Sequence, residues 1–410
     1  MIYRDYNQEI DKEAVYRIWH EIGWSDNSAD NKAGLDVFLS GGRTLVAELN
    51  GAAECLAAAM PGTIRHLDVD LRLSAVTAVT TSRIARKQGF AKRLTAQLVA
   101  AEAAEGAQVS ALGIFEQGFY NQLGYGAGSY EHWIGFDPAQ LRLRTKPRVP
   151  RRLSKEDWAM MHQAMLARQR VHGGITLTPE QYTHGEIGWS KSGFGLGYED
   201  GANGELSHFF WCRAKGEHGP YAVLMMAYQN WAQFLELMGL LKSMGDQVRL
   251  VRMREPGYVQ IQDLIVQPFR YRQLTAKSEY ENVNRATAYW QARICDLPGC
   301  LAQTHLPGDT VRFNLDLHDP ITKYLDQDAP WQGIGGDYVV TLGNESAVKQ
   351  GKDAKLPTLT ASVGAFTRMW LGVRPATGLA VTDKLVGPPD LMAALDRVLR
   401  LPTPKPDWDF

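Results

Sequence analysis

The sequence predicts a three-part chain of the α/β (α+β) class. Three observations carry that reading. The length of 410 residues, at roughly 150 residues per domain, allows two large or three modest domains. Helical and strand-like periodicities alternate along the chain. The opening pattern also restarts near residue 148. The expected parts are 1–147, 148–285 and 286–410.

In the first part, Ile10, Ala14, Val15, Ile18, Trp19 and Ile22 recur at spacings of three and four and predict a helix. Residues 43–49 and 53–60 read as strands. A longer strand is expected over 64–80, where Leu67, Val69, Leu71 and Leu73 alternate. A strong helix follows from about 89 to 105, with Leu94, Leu98 and Ala101 on one face, then a short strand over 109–115. A basic, proline-punctuated stretch from Arg142 to Arg152 marks the boundary and reads as a solvated strand and linker.

The second part echoes the first. Val149 to Trp158 repeats the order of Ile2 to Asp11: short strand, polar cap (Ser154; Asn7), acid-started helix. Strands near 209–213 and 221–226, a helix near 231–243 and a strand near 247–253 complete a degenerate duplication. The glycine clusters at 193–197 and 333–336 precede no helix and read as loops. In the third part, 310–317, 338–342 and 357–361 read as strands, and 363–371 and 389–399 as helices. The tail from Pro402 to Phe410 has too many prolines for a helix. Ending in Trp408 and Phe410, it is expected to be extended and docked on the body.

Composition excludes several classes. Lys+Arg number 44 and Asp+Glu 45, a formal net charge of −1, without the basic excess of a nucleic-acid binder. With 45% apolar and 22% charged residues, wholesale disorder is out. No apolar run approaches the ~18 residues that cross a bilayer. The N-terminus has no signal-peptide pattern. A soluble, cytoplasmic protein is expected. Cys55 and Cys212 read as buried apolar residues. Cys295 and Cys300 are spaced too widely for the usual zinc pair, and no histidine motif supports a metal.

The chemistry concentrates between Val76 and Leu94. A strand runs into Arg86-Lys87-Gln88-Gly89-Phe90-Ala91, which opens an amphipathic helix. A helix N-terminus offers unpaired N–H donors and partial positive charge. Gly89 permits close approach of a ligand. Ala91 keeps the first turn clear, and Arg86, Lys87, Lys92 and Arg93 add charge suited to a pyrophosphate. The segment is neither a Walker loop nor a dinucleotide fingerprint.

This Arg-x-x-Gly-x-Ala turn resembles the GCN5-related N-acetyltransferase superfamily. The run Phe115-Glu116-Gln117-Gly118-Phe119-Tyr120-Asn121-Gln122-Leu123-Gly124-Tyr125-Gly126 narrows the resemblance to the Eis (enhanced intracellular survival) family. That resemblance implies two tandem acetyltransferase folds, the second degenerate, then a sterol-carrier-like domain. It implies acetyl-CoA as cosubstrate, no metal, a homohexamer, and primary amines of cationic small molecules such as aminoglycosides as acceptors. By the same resemblance, Ala78, Val79 and Thr80 pair with the pantetheine arm, and Arg86 to Ala91 hold the pyrophosphate. Phe115 and Glu116 line the acetyl slot. Tyr120 is the general acid and the carboxylate of Phe410 the general base. Trp24, Asp26 and Asp409 lie at the substrate. Gln88 departs from a more basic family pattern and removes one charge. A lipid- or sterol-carrying protein with a vestigial acetyltransferase fold is the alternative, and an aminoacyl or fatty-acyl transferase a third.

Overall fold

Asn7 caps the Gln8–Glu21 helix by accepting from the Glu9 N–H, and Ser154 forms a reciprocal capping box with Asp157 just ahead of the Trp158–Ala167 helix. These caps open two copies of one element order in the computed structural model, which describes residues 2–268 and 277–408. The first copy continues through the Ala29–Ser40 helix, strands Arg43–Leu49, Ala52–His66 and Val69–Thr81, helix Phe90–Ala104 and strand Val109–Gly113. The second continues through the Glu180–Gly188 helix, strands Gly193–Tyr198, His208–Ala214 and Tyr221–Ala227, helix Trp231–Ser243 and strand Val251–Arg254. In each copy the long helix joins two parallel strands, Val69–Thr81 to Val109–Gly113 and Tyr221–Ala227 to Val251–Arg254. A parallel pair requires such a crossover.

The copies exchange strands. Glu131–Phe136 pairs with Val251–Arg254 in the second sheet, while Trp290–Ile294 pairs with Val109–Gly113 in the first. Each visiting strand covers an edge that would otherwise expose unpaired backbone groups. Trp290–Ile294 is buried along its whole length. Sheet pairing therefore crosses the divisions expected at 147 and 285 in both directions, because edge coverage rather than chain order decides where a strand sits. Past residue 294 a five-stranded sheet forms. Its order is Ala347–Gln350, Gly336–Leu342, Val311–His318, Thr358–Ser362, Leu385–Val386, flanked by helices Val363–Trp370, Ala376–Thr382 and Pro389–Val398.

Two expectations need correction. Residues 64–66 belong to the Ala52–His66 strand, and Leu67, with φ +55°, turns the chain into Val69–Thr81. Hydrophobic alternation ran through that tight turn and masked it. Gly193–Tyr198 is a strand, not a loop. Gly193, Gly195 and Gly197 share one face, and a Cβ there would come within 2.5–2.8 Å of Trp211, Leu153 and Phe209. Glycine here serves close packing rather than turning. The sequence reading also missed the Ala29–Ser40 helix, which packs on Glu180–Gly188 through Gly34 against Trp189 and Gly185 against Phe38. All four cysteines are buried and unpaired, and no helix among the described residues is long and apolar enough to cross a membrane.

His66 is fully buried, stacked on Trp370 with centroids 4.4 Å apart, and neither ring nitrogen has a hydrogen-bond partner. Burial, with His172 beside it, holds its pKa down to about 3. A histidine kept neutral when folded contributes stability that is complete above its unfolded pKa of about 6.5 and is lost as pH falls below it. Thermal melts from neutral pH to pH 5 should show steep acid destabilisation. His66→Phe is expected to remove about 1.4 kcal/mol of that loss per pH unit below about 6.5. An unchanged acid slope in the variant would refute the assignment.

Candidate active site

The site begins with a bulge. Thr77 pairs with Ala58 and Thr80 with Leu56, so Ala78 and Val79 together oppose Ala57. Ala78 adopts φ +52° to accommodate the extra residue. Parallel pairing with Val109–Gly113 ends at Val76 opposite Leu112, and beyond it the two strands part. The gap is a cleft of about 430 Å³ lined by Val76 to Val79, Gly113 to Phe115, Trp24 and Tyr120. Ala78 and Val79, expected to pair with a pantetheine arm, thus line the cleft. Thr80, expected beside them, has rejoined the sheet, is buried and lies outside the lining. At the mouth, Phe115 is 83% exposed and packs against Trp24, with ring centroids 5.6 Å apart. Trp24 in turn stands edge-on to buried Trp19. Glu116 is exposed and outside the lining.

The turn before the Phe90–Ala104 helix follows from alternating backbone signs. Lys87 has φ +62° and Gly89 φ +86°. No side chain caps this helix, and a Cβ built on Gly89 meets nothing within 4 Å. The first-turn N–H groups therefore have no side-chain cap, and the space beside Gly89 is open, an arrangement that favours an anion. Arg86, Lys87 and Gln88 are exposed on the turn, and Gln88 closes it by donating to the Ile84 carbonyl at 3.0 Å. Phe90 is buried in the core, leaving only its backbone at the turn. Ala91 is half-buried. The second copy differs at this point. Its Trp231–Ser243 helix is capped by Asn230, which accepts from the Gln233 N–H at 3.1 Å.

Tyr120 starts a 3-10 turn, Tyr120–Leu123, and its burial raises the phenol pKa above the ordinary value. The Gly-Tyr-Gly that follows has a separate cause at each position. Gly124 takes φ +80° to end the turn. Tyr125 is buried, with its hydroxyl 2.7 Å from that of Ser110. At Gly126 a Cβ would come within 2.3 Å of the Gly364 carbonyl oxygen.

Glu131, Trp133, Arg254 and Tyr289 complete the cleft; the sequence reading missed all four. Glu131 and Trp133 arrive on a visiting strand, Tyr289 just ahead of the other, and Arg254 on the strand that receives Glu131–Phe136; nothing local marks them. Arg254 pairs with Glu131 at 2.9 Å. Arg254 also lines a second chamber of about 370 Å³, with Tyr182, Trp189, Trp211, Asp407 and Trp408. The charges on that lining are mixed: Arg168, Lys191, Arg213 and Arg254 face Glu186 and Asp407. Asp26 lies outside both linings. Lys191 holds it at 2.6 Å and lowers its carboxyl pKa.

The tail docks as expected. Lys405 donates its N–H to the His172 carbonyl at 2.9 Å, and Pro406 accepts from the Ile175 N–H at 2.8 Å. Trp408 packs on Tyr182 with centroids 4.2 Å apart. Asp409 and Phe410 lie outside the described residues. Elsewhere Asp200, His208 and Glu236 converge closely enough to suggest a metal. Arg148, however, forks onto both carboxylates at 2.7–2.9 Å and occupies their oxygens.

Residues 4–128, which carry the bulge, the open helix end and Tyr120, match the family model of the acetyltransferase (GNAT) domain. Residues 4–128 form an acetyltransferase (GNAT) domain. GNAT enzymes use acetyl-CoA, and the bulged strand and open turn suit such a ligand. Tandem GNAT-type folds of the same overall length occur among solved structures. A probable N-acyltransferase from Enterococcus faecalis V583 superposes with TM-score 0.78 at 17% identity, over 98% of each chain. A GCN5-related N-acetyltransferase from Anabaena variabilis gives 0.76 at 12% identity, again over 98% of each. Eis1 from Mycobacterium abscessus gives 0.75 at 14% identity over 100% of both. These likenesses show an Eis-like fold over the whole chain. No curated protein matches its sequence significantly.

Proposed function

We propose that the protein transfers the acetyl group of acetyl-CoA directly to a primary amine of a cationic small molecule, aminoglycosides being the class to try first. One observation carries the reading: the bulged backbone at Ala78 and the phenol of Tyr120 line a single cleft. In this reading the pyrophosphate rests on Arg86, Lys87, Gln88 and the N–H groups of Gly89, Phe90 and Ala91. The amine nitrogen attacks the thioester carbonyl and the carbon–sulfur bond breaks. Tyr120 donates its proton to the departing thiolate, while the carboxylate of Phe410 accepts the proton leaving the amine. Glu186 and Asp407 in the second chamber, together with Asp409, favour a cationic acceptor, and Trp24 forms a wall. Asp26, tied to Lys191, serves this site at most through the rim. By resemblance, the assembly is a homohexamer and the third unit is sterol-carrier-like.

A thiol-release assay across polyamines, aminoglycosides and lysine peptides tests the reading, with mass spectrometry counting acetyl groups. At least one amine should gain an acetyl group for each thiol released. No acetylated product, together with thermal stabilisation by fatty acids but not by coenzyme A, would favour a lipid carrier instead.

A further inference from the structure

Trp290–Ile294 does more than close the first sheet. Its Arg293 is fully buried and pairs with an equally buried Asp319, Nη2 to Oδ2 at 2.7 Å. A pair desolvated on both sides adds little stability beside an apolar replacement of similar size. Its contacts suggest another role. Arg293 Nη1 donates to the carbonyl of Leu123, the last residue of the turn that Tyr120 opens. Two residues earlier on the same strand, Gln291 Nε2 donates to Asn121 Oδ1 at 3.1 Å, within that turn. A Cβ on Gly124 would sit 2.9 Å from the Arg293 guanidinium and 3.1 Å from Asp319, so the turn closes directly onto the pair. Asp319 also accepts from the Ile321 N–H at 3.2 Å, starting the Pro320–Tyr324 turn. That turn brings Tyr324 to 5.2 Å from Lys92, and just beyond it Asp326 pairs with Arg93 at 2.8 Å. Lys92 and Arg93 stand in the first turn of the Phe90–Ala104 helix.

We propose that Arg293 and Asp319 are a positioning pair that fixes the Tyr120 turn, and through it the phenol, against the cleft. The inference rests on Tyr120 being the proton donor. Neither member of the pair lines the cleft, so both act through Tyr120.

The double variant Arg293→Met, Asp319→Leu replaces both charges with apolar groups and should fold. Its kcat is expected to fall about tenfold or more from misplacement of the donor, with the KM for the amine changed less than about threefold. In a Tyr120→Phe background the same pair of changes should cost less than about twofold further, since the group they position is gone. A folded double variant with wild-type kcat overturns the inference, as does an undiminished loss in the Phe background. If the double variant fails to fold, Gln291→Met carries the test. It should lower kcat about threefold in the parent and not at all in the Phe background; equal kcat in the parent overturns the inference. Tyr120→Phe alone with wild-type kcat defeats the underlying reading and the inference with it, and so separates the two failures.

Discussion

Tyr120→Phe is expected to lower kcat by about 10²–10³-fold, the usual range for loss of a positioned general acid. Binding of acetyl-CoA should be unaffected. The ring lies in the core with Phe119 and Tyr125 against it at 4.8 and 6.1 Å, so removing one oxygen leaves its packing in place. The sign of the pH dependence follows from burial. A raised phenol pKa keeps the donor protonated well beyond neutrality. In the parent enzyme, kcat should therefore show no loss attributable to Tyr120 from about pH 8 to about pH 10. Thiol release at saturating acetyl-CoA, measured over that range, reads both effects. A Phe variant within twofold of the parent would mean that the thiolate leaves unprotonated or takes its proton from water.

Much of the first copy was legible because its signals are local. Asn7 and Ser154 announce helix starts, and Gly89 breaks the chain into a left-handed turn. Apolar spacing places the Phe90–Ala104 and Trp231–Ser243 helices almost to the residue. What escaped depends on distant partners. The bulge at Ala78 has no residue-type signature: Ala adopts φ +52° there because the opposing strand offers one residue against two. Glu131 and Arg254 reach the cleft only after strands change sheets. Gly193, Gly195 and Gly197 resembled a flexible loop because the sequence does not reveal that Trp211 and Phe209 will lie across them. The Gly-Tyr-Gly after Tyr120 stood out as a motif, yet only part of its cause is local: Gly124 also closes onto Arg293 and Gly126 onto Gly364, each more than 160 residues away.

Appending one glycine after Phe410 is expected to lower kcat/KM by about 10²-fold, because catalytic geometry tolerates little displacement. The tail is pinned near its end by the Lys405 and Pro406 backbone bonds, by Asp407 on Arg168 at 3.3 Å and by Trp408 on Tyr182. Two residues beyond Trp408 span at most about 7 Å. Trp408 lines the chamber that shares Arg254 with the Tyr120 cleft. The proposed base thus operates on a short tether from a fixed anchor. One added residue moves the terminal carboxylate by up to about 3.5 Å and puts an amide where the charge had been. A carboxylate is an intrinsically weak base for an ammonium, so its action depends on placement and desolvation rather than on basicity. The extended protein should melt normally and bind coenzyme A normally while turning over poorly. Equal kcat/KM would move the proton acceptor elsewhere, with Glu131 next to be tested because it lines the same cleft.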